Sequence, residues 1–211
     1  MANPTSVPDD LIVPGDLRLT GDITPVKSRS SILAEAELQA FVVPWTYWRV
    51  WDAMQTNLPA SSATDDLSLV GGTWATASPS IQTKDMKALG VATSQYARAQ
   101  IPLPWEYITG HSVELRFHAG MLTTISDGTA TLDVVCYETD EETGISADIC
   151  ADAAQSINSL VFADIDFTIT PTNLTAGDLL DVRIEIAVND GATGTAVTGC
   201  VGAVQLLCDV R

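Results

Sequence analysis

An all-β fold is predicted: an antiparallel two-sheet jelly-roll sandwich, preceded by an N-terminal arm and one short helix. Three observations predict it. From Leu179 to Val188, apolar Leu180, Val182, Ile184, Ile186 and Val188 alternate with Asp181, Arg183 and Glu185. From Ala196 to Val210 the alternation returns and places Cys200, Gly202, Val204, Leu206, Cys208 and Val210 on one face. Alternation with a period of two marks a half-buried antiparallel strand. Turn signals then recur at Gly71-Gly72, Asp127-Gly128, Thr143-Gly144, Ala176-Gly177-Asp178 and Gly191 to Gly194, where glycine and aspartate favour tight reversals.

Taken in chain order, residues 1–10 are polar and read as a leader. The stretch that follows carries Leu11, Val13, Leu17, Leu19 and Ile23, cut by Gly15-Asp16 and Gly21-Asp22. Strands this short bury no core alone, so these five apolar residues are read as an attachment arm that lies on another surface. Residues 28–40 are the helix candidate, with Ser30 or Ser31 as N-cap, alanine, leucine and glutamate behind, and Pro44 as the stop. The expected division is an arm with its helix over 1–44 and a sandwich over 45–211.

Strands of the body are expected near Tyr47–Trp51, Leu67–Trp74, Gln95–Ile101, His111–Ala119, Thr129–Tyr137, Ile165–Thr170, Leu179–Val188 and Ala196–Val210. In the fourth, Val113, Leu115, Phe117 and Ala119 point one way, and Glu114, Arg116 and His118 the other. Residues 52–66 and 139–160 are expected to be long connections with at most one helical turn each. Strands and turns at this spacing fit a jelly roll better than an immunoglobulin-like domain, whose Cys–Trp–Cys core is not evident.

Charge narrows the function. The 27 acidic residues against 10 basic ones give a net charge of −17. Such a surface repels phosphate backbones and anionic bilayers, so neither direct nucleic-acid binding nor a membrane role is expected. The opening Met-Ala-Asn-Pro-Thr lacks the features of a secretory leader, and no apolar run approaches membrane-spanning length. Cys136, Cys150, Cys200 and Cys208 form no metal-type pair, so reduced thiols in a protein made in a cytoplasm are expected.

No residue set announces catalysis. His111 and His118 lack partners at zinc or triad spacing and are read as solvated. Asp164 and Asp166 flank a strand start, and no carboxylate pair stands out for glycosidase chemistry. The acidic loop at 139–142 is read as solvated, calcium being the alternative. The expectation is no enzyme, no cofactor and no metal. The aromatic group Trp45, Tyr47, Trp48 and Trp51 has two readings. It fills the core or a subunit interface, where tryptophan is enriched, or it stacks on sugar rings.

The segment Val-Pro-Gly-Asp-Leu-Arg-Leu-Thr-Gly-Asp-Ile-Thr-Pro at 13–25 resembles Gly-Asp-Leu-x-Val-Thr-Gly segments of phage fibre and virion proteins. Ala-Gly-Asp-Leu-Leu-Asp-Val-Arg-Ile at 176–184, with Val-Asn-Asp and a long closing strand, is similar to jelly-roll proteins of tailed-phage particles. The resemblance implies a virion structural protein that decorates or stabilises a capsid, as a homotrimer whose partner is the major capsid protein or another virion protein. It carries over no catalytic residue. The alternative is a receptor- or carbohydrate-binding module of a phage tail or fibre tip.

Overall fold

The computed structural model describes residues 38–62, 64–139 and 144–210. Twelve strands run through them: β1 (Gln39–Val42), β2 (Arg49–Val50), β3 (Ala53–Asn57), β4 (Ser68–Val70), β5 (Ser80–Gln82), β6 (Thr93–Pro102), β7 (Val113–Met121), β8 (Thr129–Thr139), β9 (Gln155–Ser156), β10 (Ala163–Ile169), β11 (Leu179–Asn189) and β12 (Gly199–Cys208). They form two six-stranded antiparallel sheets. The first runs β10-β7-β12-β5-β4, with β1 also on β12; the second runs β3-β2-β6-β11-β8-β9. From β5 to β12 the chain changes sheet at every step except β8 to β9. That winding gives facing layers β10-β7-β12-β5 and β9-β8-β11-β6, which is jelly-roll order.

The predicted alternation explains the layers. Val113, Leu115, Phe117 and Ala119 of β7 are buried, as are Leu180, Val182, Ile184, Ile186 and Val188 of β11. Phe117 sits at the centre, edge-on to Phe167 at 5.8 Å and 6.4 Å from Trp48. Each buried valine, leucine, isoleucine or phenylalanine among them contributes about 1.5–3 kcal/mol by leaving water.

Four expectations change. Gln39 and Ala40, assigned to the helix, belong to β1 and pair with Cys208 and Leu207. Sheet pairing beside Phe41 and Val42 outweighs their helix propensity. Residues 28–37 and the arm residues Leu11, Val13, Leu17, Leu19 and Ile23 lie outside the described residues, as does the acidic stretch 140–143.

The closing strand also changes phase midway. Val201 opposes Ala119 and Ala203 opposes His118, so an extra residue is inserted at Gly202 as a β-bulge. Val201 then joins Val204, Leu206 and Cys208 in the core, while Cys200, opposite Gly120, is buried on the other side of the sheet. Strict alternation had placed Cys200 and Gly202 with Val204.

The expected strand at Tyr47–Trp51 is instead a 3₁₀ turn at Trp45–Tyr47 followed by β2. Finally, the connections at 52–66 and 139–160 contain β3 and β9, with no helical turn among their described residues.

Candidate functional site

The outer face of the second sheet gathers the polar half of each alternating strand into ordered rows. Arg49 lies opposite Arg98, which lies opposite Arg183. One row along, Gln100, Asp181 and Tyr137 are aligned; in the other direction, Tyr96, Glu185 and Asp133 are. Even-numbered β11 residues face the core, so Asp181, Arg183 and Glu185 must face outward.

A groove of about 280 Å³ opens on this face. Trp51 and Asp52 from the β2–β3 turn, Arg98 from β6, Tyr137 from β8, and Asp181 and Arg183 from β11 line it. Arg98 Nε donates to Asp181 Oδ1 at 2.6 Å and its Nη2 donates to Oδ2, a two-pronged ion pair. That pairing raises the Arg98 pKa and fixes both side chains.

Arg183 is held differently. Its guanidinium carbon lies 5.1 Å from the Tyr96 ring and 6.0 Å from the Trp51 ring. The two rings stand 5.3 Å apart, inclined at 49°, and Trp51 Nε1 donates to Asp65 Oδ2 at 3.3 Å. A cation over aromatic faces is attracted by their quadrupoles.

Acid neighbours surround this core of the site. Ser94 donates to Glu185 at 2.5 Å. Burial, reinforced by Glu185, raises the Asp133 pKa, and burial, reinforced by Asp65 and Asp52, raises that of Asp66. The groove therefore mixes rings, a locked ion pair and a ring-stacked cation, an arrangement suited to holding a polar ring-shaped ligand.

The four aromatic residues singled out in the sequence do not act together. Trp48 is 1 % exposed and belongs to the core, which removes it as a glycan contact. Trp45 packs half-buried against the core. Tyr47 faces a second, apolar cleft of about 300 Å³ with Phe41, Val42, Leu103 and Trp105. Trp51 alone reaches the groove.

Sequence reasoning missed Trp105 and Trp74, which are 79 % and 98 % exposed, as well as Tyr96, Tyr137 and Arg98. Tyr96, Arg98 and Tyr137 each lie in a predicted strand, but alignment across strands has no signal within any one of them.

The histidines, read as solvated, have carboxylate neighbours. His118 Nδ1 lies 2.7 Å from Asp164 and His111 Nδ1 lies 3.3 Å from Asp209. Arg116 makes two bonds to Asp166, at 2.7 and 2.8 Å. Asp164 and Asp166 are thus cross-strand partners of β7 on the outer face of the first sheet. Among the described residues no group of three or more His, Cys, Asp or Glu could hold a metal ion. The four cysteines are free, and burial pushes the Cys200 and Cys208 thiols up to about 11.

No protein-family model and no curated protein sequence matches the chain. Among solved structures, a xylan-binding domain from Paenibacillus barcinonensis is 11% identical, with 83% of this chain and 96% of that one covered, at a TM-score of 0.42. A second xylan-binding module is 15% identical over 82% of this chain and 99% of that one, also at 0.42. A structure of infectious bursal disease virus is 12% identical over 72% of this chain and 42% of that one, at 0.38.

Proposed function

We propose that this chain is a non-enzymatic jelly-roll protein of a phage-like virion whose second-sheet groove recognises a saccharide. The groove around Trp51 is the observation that carries the recognition reading. Trp51 and Tyr137 offer ring surfaces to a sugar's C–H face, and the locked Arg98–Asp181 pair offers hydrogen-bonding groups with little rotamer freedom left to lose. Both Asp181 oxygens already accept from Arg98, so this carboxylate is engaged in binding geometry and not presented as a reacting acid.

The virion setting draws on the motifs at 13–25 and 176–184. In this reading the chain is made in the host cytoplasm and the residues ahead of β1 attach the body to the major capsid protein or another virion protein. The net charge of −17 keeps neighbouring copies apart and soluble. A glycan array with the full chain tests recognition: signal that disappears in Trp51→Ala, with the unfolding temperature preserved, supports it, and a silent array refutes it. Deleting residues 1–27 tests attachment, since the body should stay folded and lose its place on the particle; unchanged incorporation refutes the arm's role.

The apolar cleft favours a second reading, a purely structural decoration protein that assembles as a homotrimer. Val42, Tyr47 and Trp105 are exposed together beside β1, and contiguous apolar surface of this kind marks interfaces. Native mass spectrometry showing trimers that Trp105→Ser dissociates would favour it. A monomer at high concentration would count against it.

A further inference from the structure

We infer that the groove selects a carboxylate-bearing sugar, a hexuronate unit within an otherwise neutral glycan, and that Arg183 is the residue that reads the carboxylate. The inference rests on the saccharide reading above and narrows it to a chemical class.

The starting point is where the few cations lie. Of the 10 basic residues in a chain of net charge −17, three stand in one line across adjacent strands: Arg49, Arg98 and Arg183. Like charges directly opposite in a sheet are destabilising, so each arginine of the row calls for compensation. Asp181 offsets Arg98. Arg49 donates to the Trp48 carbonyl at 3.2 Å. Arg183, in contrast, forms no ion pair among the described residues, and its Nε is sealed from water with no acceptor. The Arg183 guanidinium carbon is held 5.1 Å from the Tyr96 ring and 6.0 Å from the Trp51 ring at the groove wall, and the terminal N–H pair of a guanidinium can grip a carboxylate with two parallel bonds.

Charge around the groove selects among anions. Asp52 and Asp181 border it, and the whole molecule is strongly anionic, so a dianionic phosphate or a dense polyanion meets repulsion on entry. A single carboxylate carries the least charge that still pairs with the terminal amino groups of Arg183. Tyr137 and Trp51 beside it supply surface for the ring to which that carboxylate is attached. The groove volume of about 280 Å³ lies at the small end for ligand clefts, which suits one sugar unit and not a long chain.

Calorimetric titration with disaccharides carrying one glucuronate or galacturonate, each beside its carboxyl-reduced counterpart, tests the assignment. The acid forms should bind tighter than the reduced forms by about tenfold to a hundredfold, the worth of a charge-assisted hydrogen-bonded pair. Arg183→Gln should abolish that difference, and Arg183→Lys, which keeps the charge without the fork, should restore part of it. Raising chloride should weaken the acid forms of the unmodified protein and leave the reduced forms unchanged, a readout that does not depend on any variant folding. Equal binding of acid and reduced forms overturns the inference and leaves the saccharide reading standing. Inorganic phosphate binding tighter than the uronates also overturns it. Absence of binding by every sugar in array and titration overturns both.

Discussion

Two tryptophans three residues apart in sequence illustrate how differently one side chain type is used. Trp48 contacts Phe117 in the core, and Trp51 stacks with Tyr96 beneath Arg183. Trp48→Ala should therefore cost about 3–5 kcal/mol of stability, the usual penalty for emptying a large core site, measured by denaturant unfolding. Trp51→Ala should leave the unfolding midpoint nearly unchanged. A mild Trp48 variant would show that the core closes over the vacancy. Asp190 is a second residue with a specific duty. Its buried carboxylate accepts from Ala88 N at 2.7 Å, Asp127 N at 3.1 Å and the Thr193 hydroxyl at 2.5 Å. Burial opposes the charge, but these bonds prevail and lower its pKa to about 2. A depressed carboxylate stabilises the fold above its unfolded value, and that contribution fades as pH falls toward 2. Acid unfolding of the native protein should accordingly weaken it across that window, and Asp190→Asn should flatten the pH dependence there.

At the scale of elements, the turns named from sequence are tied together in ways the chain order hides. The Asp127-Gly128 and Gly191–Gly194 turns meet: Asp127 accepts from Gly191 N at 2.7 Å, and Asp190 bridges back to Asp127. Gly71-Gly72 shows that two adjacent glycines have unequal roles. Gly72 has φ +70°, and a Cβ there would lie 2.2 Å from the Ala77 carbonyl oxygen, whereas nothing stands within 4 Å of a Cβ on Gly71. Gly72→Ala should cost about 1–3 kcal/mol through the strained backbone and the clash, and Gly71→Ala close to nothing. Equal effects in thermal unfolding would contradict this geometry. The β12 bulge belongs here too. One extra residue at Gly202 shifts which side chains reach the core, a change invisible to alternation because both phases are apolar: Cys200 and Val201 are equally acceptable inside.

For the whole molecule, the C-terminal strand has the greatest leverage. β12 pairs with β7, β5 and β1 in the first sheet, so a chain clipped after Gly194 should lose its cooperative unfolding transition and its β-type circular dichroism. Retention of both would mean the other layer folds without it. The alternation of β7 and β11 made their core faces legible residue by residue, because burial on one side of a pleated strand forces an apolar period of two. Polar Arg183 and Asp181 were legible as outward-facing for the same reason. Their partners were not. Arg98 meets Asp181 across 83 residues of chain, and Trp51 meets Tyr96 only where the β2–β3 turn lies beside β6. The helix expected to end at residue 40 gave way at Gln39 and Ala40 because a strand edge on β12 was available to them.

By itself, then, the sequence determined that this protein is an antiparallel sandwich with a strongly acidic composition, since patterns within one strand and sums over the chain carry that information. The tertiary structure alone decided that three arginines form a row, that one tryptophan is core and another lines a groove, and that the last strand changes phase. Register between strands distant in sequence sets those outcomes, and register depends on which surfaces bury each other, not on any segment read alone.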